Sequence, residues 1–362
     1  MSTSGNSPPG AGPRLAVYYW TGTGNTARAV GVVVRELQQA GWEVGATLVR
    51  HDTPVPSPTE LAGLEHLLLA CPTLGFSAPA SFLAWLGRWP KANGPLASRP
   101  VASVLAVCGA ELWRGRVLAG HSGGLRRQVA RRLAVKGLRV ARATDVSYPA
   151  NWTQFFRPTL PPQVGALLEL GDAGALAFAR ALASATPVPD RRSRWLSLPL
   201  NAVGVLFRSL ARRFLARLYT ADPACTACGL CARDCPVGAI RMTATANSPG
   251  SLPAWSLRCD ACNRCINLCP AAAIQTSWFR LVIHGSLQLA ATVGAVVALW
   301  WWGPVLPWVF WLLFTTLQLT WLDSALVWLE RRRRFRRLLT RGPTQNWGRY
   351  RAPGSSGVTL QE

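Results

Sequence analysis

CTACGLCARDCP, residues 225–236, and CDACNRCINLCP, residues 259–270, are two matching stretches that decide how the chain is interpreted. Both space their cysteines as C-x2-C-x2-C-x3-C, and both end in proline. Thiolates are soft ligands that suit iron–sulfur clusters, and this spacing is the bacterial pattern for [4Fe–4S] ligation. The repeat therefore predicts two [4Fe–4S] clusters.

The fourth cysteine of each run is expected to bind the cluster of the other run. Disulfides and structural zinc are the alternatives. Disulfides are typical of small secreted domains, and zinc sites usually pair two C-x2-C knuckles across a longer gap. Neither explains the third and fourth cysteines, the proline and the repeat. The stretch 221–276 resembles a bacterial two-cluster ferredoxin domain. The predicted ligands are Cys225, Cys228, Cys231 and Cys269 for cluster 1, and Cys259, Cys262, Cys265 and Cys235 for cluster 2.

The chain of 362 residues carries a formal charge of +23, and only Lys91 and Lys136 are lysines. The arginines concentrate at 191–217 and 331–351, which flank the most apolar stretches. This placement favours a membrane surface as the partner. Zinc-finger, recognition-helix and single-strand-binding patterns are absent from the sequence, so no nucleic-acid partner is predicted.

Near the N-terminus, the apolar run 15–20 predicts a buried parallel strand. A helical pattern of apolar residues follows from Ala27 to Leu37. Glycines in the loop between this strand and the helix allow backbone N–H groups to converge, and threonine hydroxyls add further donors. The loop is therefore predicted to cradle a phosphate. A plain tight turn is the alternative. The loop lacks the P-loop and dinucleotide patterns. It resembles the FMN-phosphate loop of flavodoxins, which implies FMN contacts from Thr21, Gly22, Thr23, Gly24, Asn25 and Thr26.

Further strands are predicted at 42–49, 65–70, 101–107 and 138–141, with helices beginning at 81 and spanning 125–135 and 163–185. Alternating strands and helices imply an α/β, doubly wound parallel sheet. In the flavodoxin order 2-1-3-4-5, the ligand lies at the carboxyl ends of the strands, between the first and third.

The loops after the third and fourth strands, 71–76 and 108–113, complete this predicted site. Cys71 and Cys108 are expected to be small buried packing residues. The resemblance to flavodoxins implies that the two loops enclose the flavin ring, usually with an aromatic side chain. Phe76 and Trp113 are the aromatic candidates, and each is equally compatible with an ordinary hydrophobic plug. The predicted contacts are Pro72, Thr73, Gly75, Phe76, Gly109 and Trp113.

Tyr148-Pro149-Ala150-Asn151-Trp152 follows the fifth predicted strand. With this element, residues 14–276 resemble a family of fused flavodoxin–ferredoxin proteins. Flavodoxins and ferredoxins are commonly acidic, and this chain departs from that pattern. Positive surroundings stabilise reduced flavin and reduced clusters, so we expect the reduction potentials of both to be raised.

A linker, 187–220, begins at Pro187-Val188-Pro189 and continues with Arg191, Arg192 and Arg194. Apolar residues from Phe207 to Leu218 then recur at helical spacing between arginines, which predicts a basic amphipathic helix. Such a helix suits an anionic membrane surface. Packing of its apolar stripe on one of the domains is the alternative.

Between Arg280 and Asp323 lie 42 residues without Lys, Arg, Asp or Glu. A spanning helix needs about 20 residues, so 281–302 and 305–328 are predicted as two transmembrane helices, with aromatic belts of tryptophan. The arginines after 330 predict a cytoplasmic end. A buried hairpin in a soluble complex is the alternative. Asp323 is expected near the interface, and His284 is a lone residue that could serve haem or quinone.

The sequence therefore predicts six segments. They are a disordered tail (1–13, without an apolar leader), a flavodoxin-like FMN-binding domain (14–186), the linker helix (187–220), a ferredoxin domain (221–277), a transmembrane hairpin (280–329) and a basic cytoplasmic tail (330–362).

The predicted function is electron transfer between FMN and two [4Fe–4S] clusters. The predicted protein sits in the inner membrane, is multi-pass with both soluble domains cytoplasmic, and serves a redox partner protein or quinone. The alternatives are an oxidoreductase acting on a small substrate or quinone, and a redox-sensing or assembly protein. The sequence shows no constellation of a catalytic acid, base or nucleophile, which favours a carrier.

Overall fold

The computed structural model describes residues 12–92, 99–158, 163–187, 194–244, 251–344 and 347–353. Residues 1–11 of the predicted tail 1–13 lie outside these ranges, and so do Arg191, Arg192 and residues 354–362. The chain divides into two compact units. The first comprises Met1–Ala150, Thr159–Arg208 and Arg351–Glu362, and the second comprises Asn151–Pro158 and Ser209–Tyr350.

The first unit is built on one six-stranded sheet with helices between its strands. Its elements are β1 Arg14–Tyr19, α1 Asn25–Gln39, β2 Glu43–Leu48, α2 Pro58–Ala62, β3 His66–Pro72, α3 Ala80–Gly87, β4 Val101–Trp113, β5 Arg116–Ala119, α4 Leu125–Val135, β6 Val140–Pro149, α5 Gln163–Ala183 and α6 Arg194–Leu206.

The parallel strands follow the order β2-β1-β3-β4-β6, because β6 pairs in parallel with β4. This is the doubly wound flavodoxin order that the alternation of elements predicts. One side of α1, including Val30, Val33 and Leu37, is buried in a core shared with β1 and α5. The sheet therefore places the loop after β1 beside the loops after β3 and β4.

The fourth strand is longer than its sequence predicts. It runs past Val107 to Trp113 and turns back antiparallel as β5. Arg114 and Gly115 have φ of 49° and 75°, the left-handed pair that a tight two-residue hairpin needs. The fifth parallel strand also extends beyond its predicted end, from Val140 to Pro149. Trp113 therefore lies on a strand rather than in the predicted loop.

The second unit begins where α6 has continued through a π-helical turn, Phe207–Ala211. Two small antiparallel sheets, β7 with β10 and β8 with β9, enclose the cysteine runs. Its elements are α7 Arg212–Leu218, β7 Tyr219–Ala221, α8 Leu230–Arg233, β8 Ile240–Ala244, β9 Ser251–Trp255, α9 Arg264–Leu268, β10 Ile274–Thr276, α10 Trp278–Trp302, α11 Val305–Leu317, a π-helical turn Gln318–Leu322, α12 Asp323–Glu330 and α13 Arg333–Leu339.

Among the described residues, two helices are long and apolar enough to cross a membrane, Trp278–Trp302 and Val305–Glu330. They are joined at Gly303, whose φ is +69°. Only 11% and 22% of their most apolar windows are buried, so most of their hydrophobic side chains are exposed. We call the pair the apolar hairpin.

The linker forms a helix that starts at Arg194, before its predicted apolar stripe. At its second end, Leu215 and Leu218 are buried within the second unit. Along α6, by contrast, apolar side chains face outward. The exposed ones are Trp195, Leu196, Leu198, Val203, Val205 and Leu206. Packing within the second unit thus buries the later apolar residues of the linker, whereas the apolar side chains of α6 named here stay exposed.

Candidate redox site

The two cysteine runs follow the same backbone path. Ala227 and Ala261, each two residues after the first cysteine of its run, have φ of 59° and 54°. Three residues after the last cysteine of each run, Gly238 and Ala272 are also left-handed, with φ of 61° and 48°. An internal repeat in sequence is therefore an internal repeat in conformation.

These bends direct backbone N–H groups at the thiol sulfurs. The amides of Ala239 and Ala273 donate to Sγ of Cys235 and Cys269, each at 3.3 Å. Each amide lies four residues after the cysteine that it contacts. Hydrogen bonds of this kind favour a charged sulfur and tune the potential of a bound cluster.

The thiols meet in two sets. Burial, followed by the nearby Cys225 and Cys269, raises the pKa of Cys231 to about 12. Burial and then Cys235 raise the pKa of Cys262 to about 12. Each set combines three cysteines of one run with the last cysteine of the other. Iron must therefore displace protons to bind here, as metal sites of thiolate require.

The two sets differ in exposure. Cys228 is exposed, and Cys225, Cys231 and Cys269 are partly exposed. In the other set, Cys235, Cys259 and Cys265 are buried and Cys262 is partly buried. The predicted site of cluster 1 is thus the one open to solvent. The assignment of ligands to each cluster stays a prediction.

Arginine side chains support the loops around both sets. In the second unit, Nη1 of Arg212 donates to the carbonyl oxygen of Cys259 at 2.8 Å. Nη1 of Arg217 donates to the Trp255 carbonyl oxygen at 2.7 Å. Nη2 of Arg336 and of Arg349 donate to the carbonyl oxygens of Asp222 and Ala272, each at 2.7 Å.

Arg336 and Arg349 belong to a segment that the sequence predicts to be a tail. In the structure this segment packs against the cluster loops. The contacting residues are 77 and 114 positions apart in the sequence, so local sequence patterns could not predict these contacts. The donor set, the N–H···S bonds and the positive surroundings all suit anionic thiolate-bound clusters. Within the described part of the chain, no three His, Cys, Asp or Glu side chains are close enough to hold a single metal ion.

The predicted phosphate loop connects β1 to α1 in the first unit. Gly24 precedes the helix with φ of 104°, a conformation that glycine adopts without strain. Thr21 and Thr26 are buried, and their Oγ1 atoms have no hydrogen-bond partner. Because an unsatisfied buried hydroxyl is costly, two such atoms beside a helix N-terminus fit the oxygens of a bound phosphate.

Asn25, also predicted as a phosphate contact, makes a structural bond. Its Nδ2 donates to the carbonyl oxygen of Pro149 at 2.9 Å, which joins the loop to the end of β6. On the other side of the loop, the amide of Ala352 donates to the Thr23 carbonyl oxygen at 3.0 Å. Nη1 of Arg28 donates to the carbonyl oxygen of Pro353 at 2.9 Å. The end of the described chain therefore lies against the loop, which the sequence did not indicate.

The loop after β3 is a tight turn. Leu74 and Ser77 exchange two backbone hydrogen bonds, of 2.9 and 3.1 Å, and the residues between them have positive φ. A Cβ on Gly75 would lie 2.2 Å from Cγ of Phe207, so the ring of Phe207 packs on this glycine. The aromatic side chain that packs on this loop is therefore Phe207, which the sequence analysis assigned to the linker helix.

The other residues predicted to contact the flavin ring lie in two different places. The amide of Thr73 donates to the Val107 carbonyl oxygen at 2.8 Å, and its Oγ1 lies 3.4 Å from Sγ of Cys108. Pro72, Thr73 and Gly109 therefore meet where β3 and β4 adjoin. Trp113 lies on the β4–β5 hairpin, 57% exposed, with the Arg114 guanidinium 4.7 Å from its ring centroid.

Cys71 and Cys108 are both buried. Burial, with a smaller contribution from Cys108, raises the pKa of Cys71 far above its usual range. A thiol with such a pKa stays protonated and unreactive. Both side chains act as packing residues, Cys71 near the end of β3 and Cys108 within β4.

Comparison with known proteins gives a family match for the cysteine region. Residues 224–273 match the model described as a 4Fe-4S dicluster domain. No curated protein matches the chain. The matched region is a small part of the sequence, and it contains all eight cysteines of the two runs.

Solved structures align with slightly less than half of the chain. The Flv1 flavodiiron core of Synechocystis sp. PCC6803 is 20% identical, with a TM-score of 0.31, over 48% of this chain and 37% of that one. A flavodoxin of Streptococcus pneumoniae TIGR4 is 15% identical (TM-score 0.29) over 46% and 98% of the two chains. Flavodoxin 2 of Bacillus cereus is 18% identical (TM-score 0.30), also over 46% and 98%. These values are low, and the fold is established by the strand order of the sheet.

Proposed function

We propose that this protein is a membrane-anchored electron carrier that relays electrons between FMN and two [4Fe–4S] clusters and passes them to a redox partner protein or quinone. The observation that carries the proposal is the match of 224–273 to a 4Fe-4S dicluster domain, with its eight thiols gathered in two sets. When bound, clusters carry single electrons and a flavin carries one or two.

The side chains around the cysteines distinguish the site of cluster 1 from that of cluster 2. The exposed Cys228 marks the side from which a partner approaches. Arg336 and Arg349, bonded to loop carbonyl groups, hold positive charge beside this set. Positive charge stabilises the reduced state and raises the potential. Cluster 1 is therefore the port for a partner, and cluster 2 is shielded from solvent.

The flavin half of the proposal rests on the loop after β1. Thr21 and Thr26 supply two unsatisfied hydroxyls, and α1 supplies the positive end of its dipole. The ends of β3 and β4 supply Thr73 and Gly109 for the ring. FMN is thus the flavin that the loop selects, since a single phosphate fits this cradle without a lysine or metal.

The membrane half rests on exposed apolar surface. The apolar hairpin presents large hydrophobic side chains along both helices, and α6 adds a second apolar face with Trp195 83% exposed. The arginines that follow the hairpin favour the cytoplasmic side for this end. The hairpin therefore anchors both soluble domains to the inner face of the membrane.

Purification of the full-length chain without oxygen tests the proposal. We expect one FMN and two [4Fe–4S] clusters per chain, counted as flavin, iron and sulfide, with EPR signals after reduction. Full iron with no flavin, even after reconstitution, would remove the flavin half. Absence of iron from anaerobic protein would remove the relay. Alkaline extraction of membranes tests anchoring, since a peripheral protein is released and a spanning hairpin is retained.

Thr21→Val tests the phosphate cradle, because it removes one orphan hydroxyl and keeps the branched shape. We expect FMN binding to weaken about 10–100-fold, the loss of one hydrogen bond to a charged group, as measured by quenching of flavin fluorescence. Cys231→Ser is the matched control. It should lower the iron content and leave the FMN affinity unchanged. Equal FMN affinity in Thr21→Val and wild type would contradict the assigned cradle.

A further inference from the structure

A buried ion-pair network joins the cluster loops to the apolar hairpin within the second unit. Asp323 is 2% exposed. Its Oδ1 lies 2.8 Å from Nη1 of Arg280, and its Oδ2 lies 3.1 Å from Nη1 of Arg217. Nη2 of Arg280 also pairs with the carboxylate of Glu330. Two guanidinium groups thus balance two carboxylates.

His284 is the remaining titratable group of this network. It is fully buried, and its Nε2 lies 3.6 Å from Oδ1 of Asp323, with no hydrogen-bond partner. On the other side of the ring, Nε2 of Gln318 donates to the His284 carbonyl oxygen at 2.7 Å and lies 3.3 Å from Nδ1. Nδ1 therefore faces a donor, and the neutral ring carries its proton on Nε2, toward Asp323.

His284 therefore lies beside a cluster of four charged side chains, Arg217, Arg280, Asp323 and Glu330. Both guanidinium groups contact the carboxylate of Asp323. Glu330 is held by Arg280. From α7, Phe214 closes the pocket with its ring centroid 6.2 Å away. An imidazole carries one donor and one acceptor nitrogen, so it can bind a proton at one nitrogen while the N–H of the other faces the carboxylate of Asp323.

The same network reaches cluster 2. Arg217, which holds Asp323, also donates to the Trp255 carbonyl oxygen at 2.7 Å and interacts electrostatically with Cys259. A small cavity of about 20 Å³ is lined by Arg217, Arg280, Asp323 and Glu330 among others. This volume holds about one water molecule. Arg217 therefore connects the predicted site of cluster 2 to the pair of Asp323 and His284.

We propose that His284 takes up one proton when cluster 2 gains one electron, so that the base of the apolar hairpin is a redox-linked proton site. The inference rests on the clusters of the proposed function. The electron comes from a one-electron donor such as the flavin or cluster 1, and the proton comes from water and binds Nδ1 of His284. The ring then pairs through Nε2–H with Asp323.

Gln318 accommodates the added proton. Its Oε1 is buried without a hydrogen-bond partner. Rotation of the amide presents this oxygen to Nδ1–H and gives up the bond from Nε2 to the His284 carbonyl oxygen. The added electron and proton cancel, so the buried region keeps its net charge. This matters beside an apolar segment, where an uncompensated charge is expensive.

Redox titration of the full-length protein in nanodiscs, followed by EPR at pH 6 to 9, tests the proposal. The reduced state binds more protons, so the potential of cluster 2 should fall as pH rises, by up to about 59 mV per pH unit, a tenfold change in the one-electron equilibrium. Cys228→Ser, which alters the ligands of cluster 1, identifies its signal. An indicator dye should also report one proton taken up per electron.

His284→Gln should abolish the slope and the proton uptake while the iron content stays unchanged. His51→Gln, which removes an exposed histidine of the first unit, should keep both. Asp323→Asn should also reduce the slope, provided that it retains iron. A flat wild-type potential in protein with full clusters, or a slope that survives His284→Gln, would overturn this inference alone. A protein without clusters would overturn the proposed function instead.

Discussion

Close contact at single residues determines the packing of α5 on the sheet. A Cβ on Gly171 would lie 2.6–2.7 Å from ring carbons of Tyr148, whose hydroxyl donates to Asp172 at 2.9 Å. Gly171→Ala should therefore lower the free energy of unfolding of the first unit by about 1–3 kcal/mol, the usual cost of overpacking. Urea denaturation measures this change.

Gly165→Ala is the matched control in the same helix. Nothing lies within 4 Å of its added Cβ, and alanine favours the helix over glycine by up to about 1 kcal/mol. This variant should be neutral or more stable. If both substitutions changed stability by the same amount, the close approach of Tyr148 to α5 would be wrong.

His66 makes the first unit sensitive to acid. Its ring packs against that of Trp42 in a tilted arrangement, with ring centroids 4.7 Å apart. Burial lowers its pKa, opposed by Glu65 and reinforced by Arg142. A lowered pKa in the fold means that its contribution is present above the unfolded value, about 6.5, and is lost as pH falls from there through the folded value.

We therefore expect the free energy of unfolding to fall between pH 7.5 and 5 by an amount that His66→Phe reduces. Because the side chain is about half buried, solvent screening keeps this difference to less than about 1 kcal/mol. Urea unfolding at both pH values measures it. The same pH dependence in His66→Phe and wild type would assign the effect to other groups.

At the scale of elements, α13 and the segment to Tyr350 form a strap on the cluster loops. The amide of Trp278 donates to the Arg341 carbonyl oxygen at 2.9 Å. The amide of Tyr350 donates to Oδ1 of Asn267 at 2.7 Å. The strap carries Arg336, which interacts electrostatically with Cys225. Its positive charge is thus part of the site of cluster 1.

Arg336→Gln should lower the potential of cluster 1, because one positive charge near Cys225 is lost. The expected change is on the order of tens of millivolts, read by EPR-monitored titration. Arg337→Gln, the exposed neighbour in the same helix, should change it much less. Equal shifts would mean that overall charge, and not the position of Arg336, sets the potential.

The sequence predicted those elements whose buried faces are periodic. The strand, glycine loop and helix from Arg14 to Gln39 were predicted nearly to their ends, because apolar spacing encodes which side is buried. The extension of β4 to Trp113 was missed, since its last residues are exposed and lack that signal. Contacts of the strap, and the pairing of His284 with Asp323, depend on the tertiary register of separate helices, which local periodicity does not contain.

At the scale of the whole molecule, the hairpin and the strap are integral to the second unit and not appendages. Arg280 of the hairpin donates to the Arg217 carbonyl oxygen at 3.0 Å, and the strap supports Ala272 and Asp222. A soluble form ending at 277 should therefore lose iron. Iron analysis of anaerobic protein measures this loss.

Two further truncations locate the cause. A chain ending at 331 keeps the hairpin and loses the strap, and we expect it to retain less iron than the full chain. A chain ending at 353 removes only the residues after the strap and should retain full iron. Full iron in the form ending at 277 would show that the ferredoxin module is self-sufficient.

The two units share the chain in alternation, since Asn151–Pro158 belongs to the second and Thr159–Arg208 returns to the first. The second unit is complete only once Tyr350 has been synthesised, and the first only once Arg351 and the residues after it have been. At roughly 5–20 residues per second, the stretch from Cys269 to Tyr350 takes about 4–16 s to synthesise. The eight cysteines thus leave the ribosome after Arg212 and Arg217 but before Arg336 and Arg349, which also support their loops. The nascent chain therefore exposes its eight thiols to oxidation before Arg336 and Arg349 reach the cluster loops.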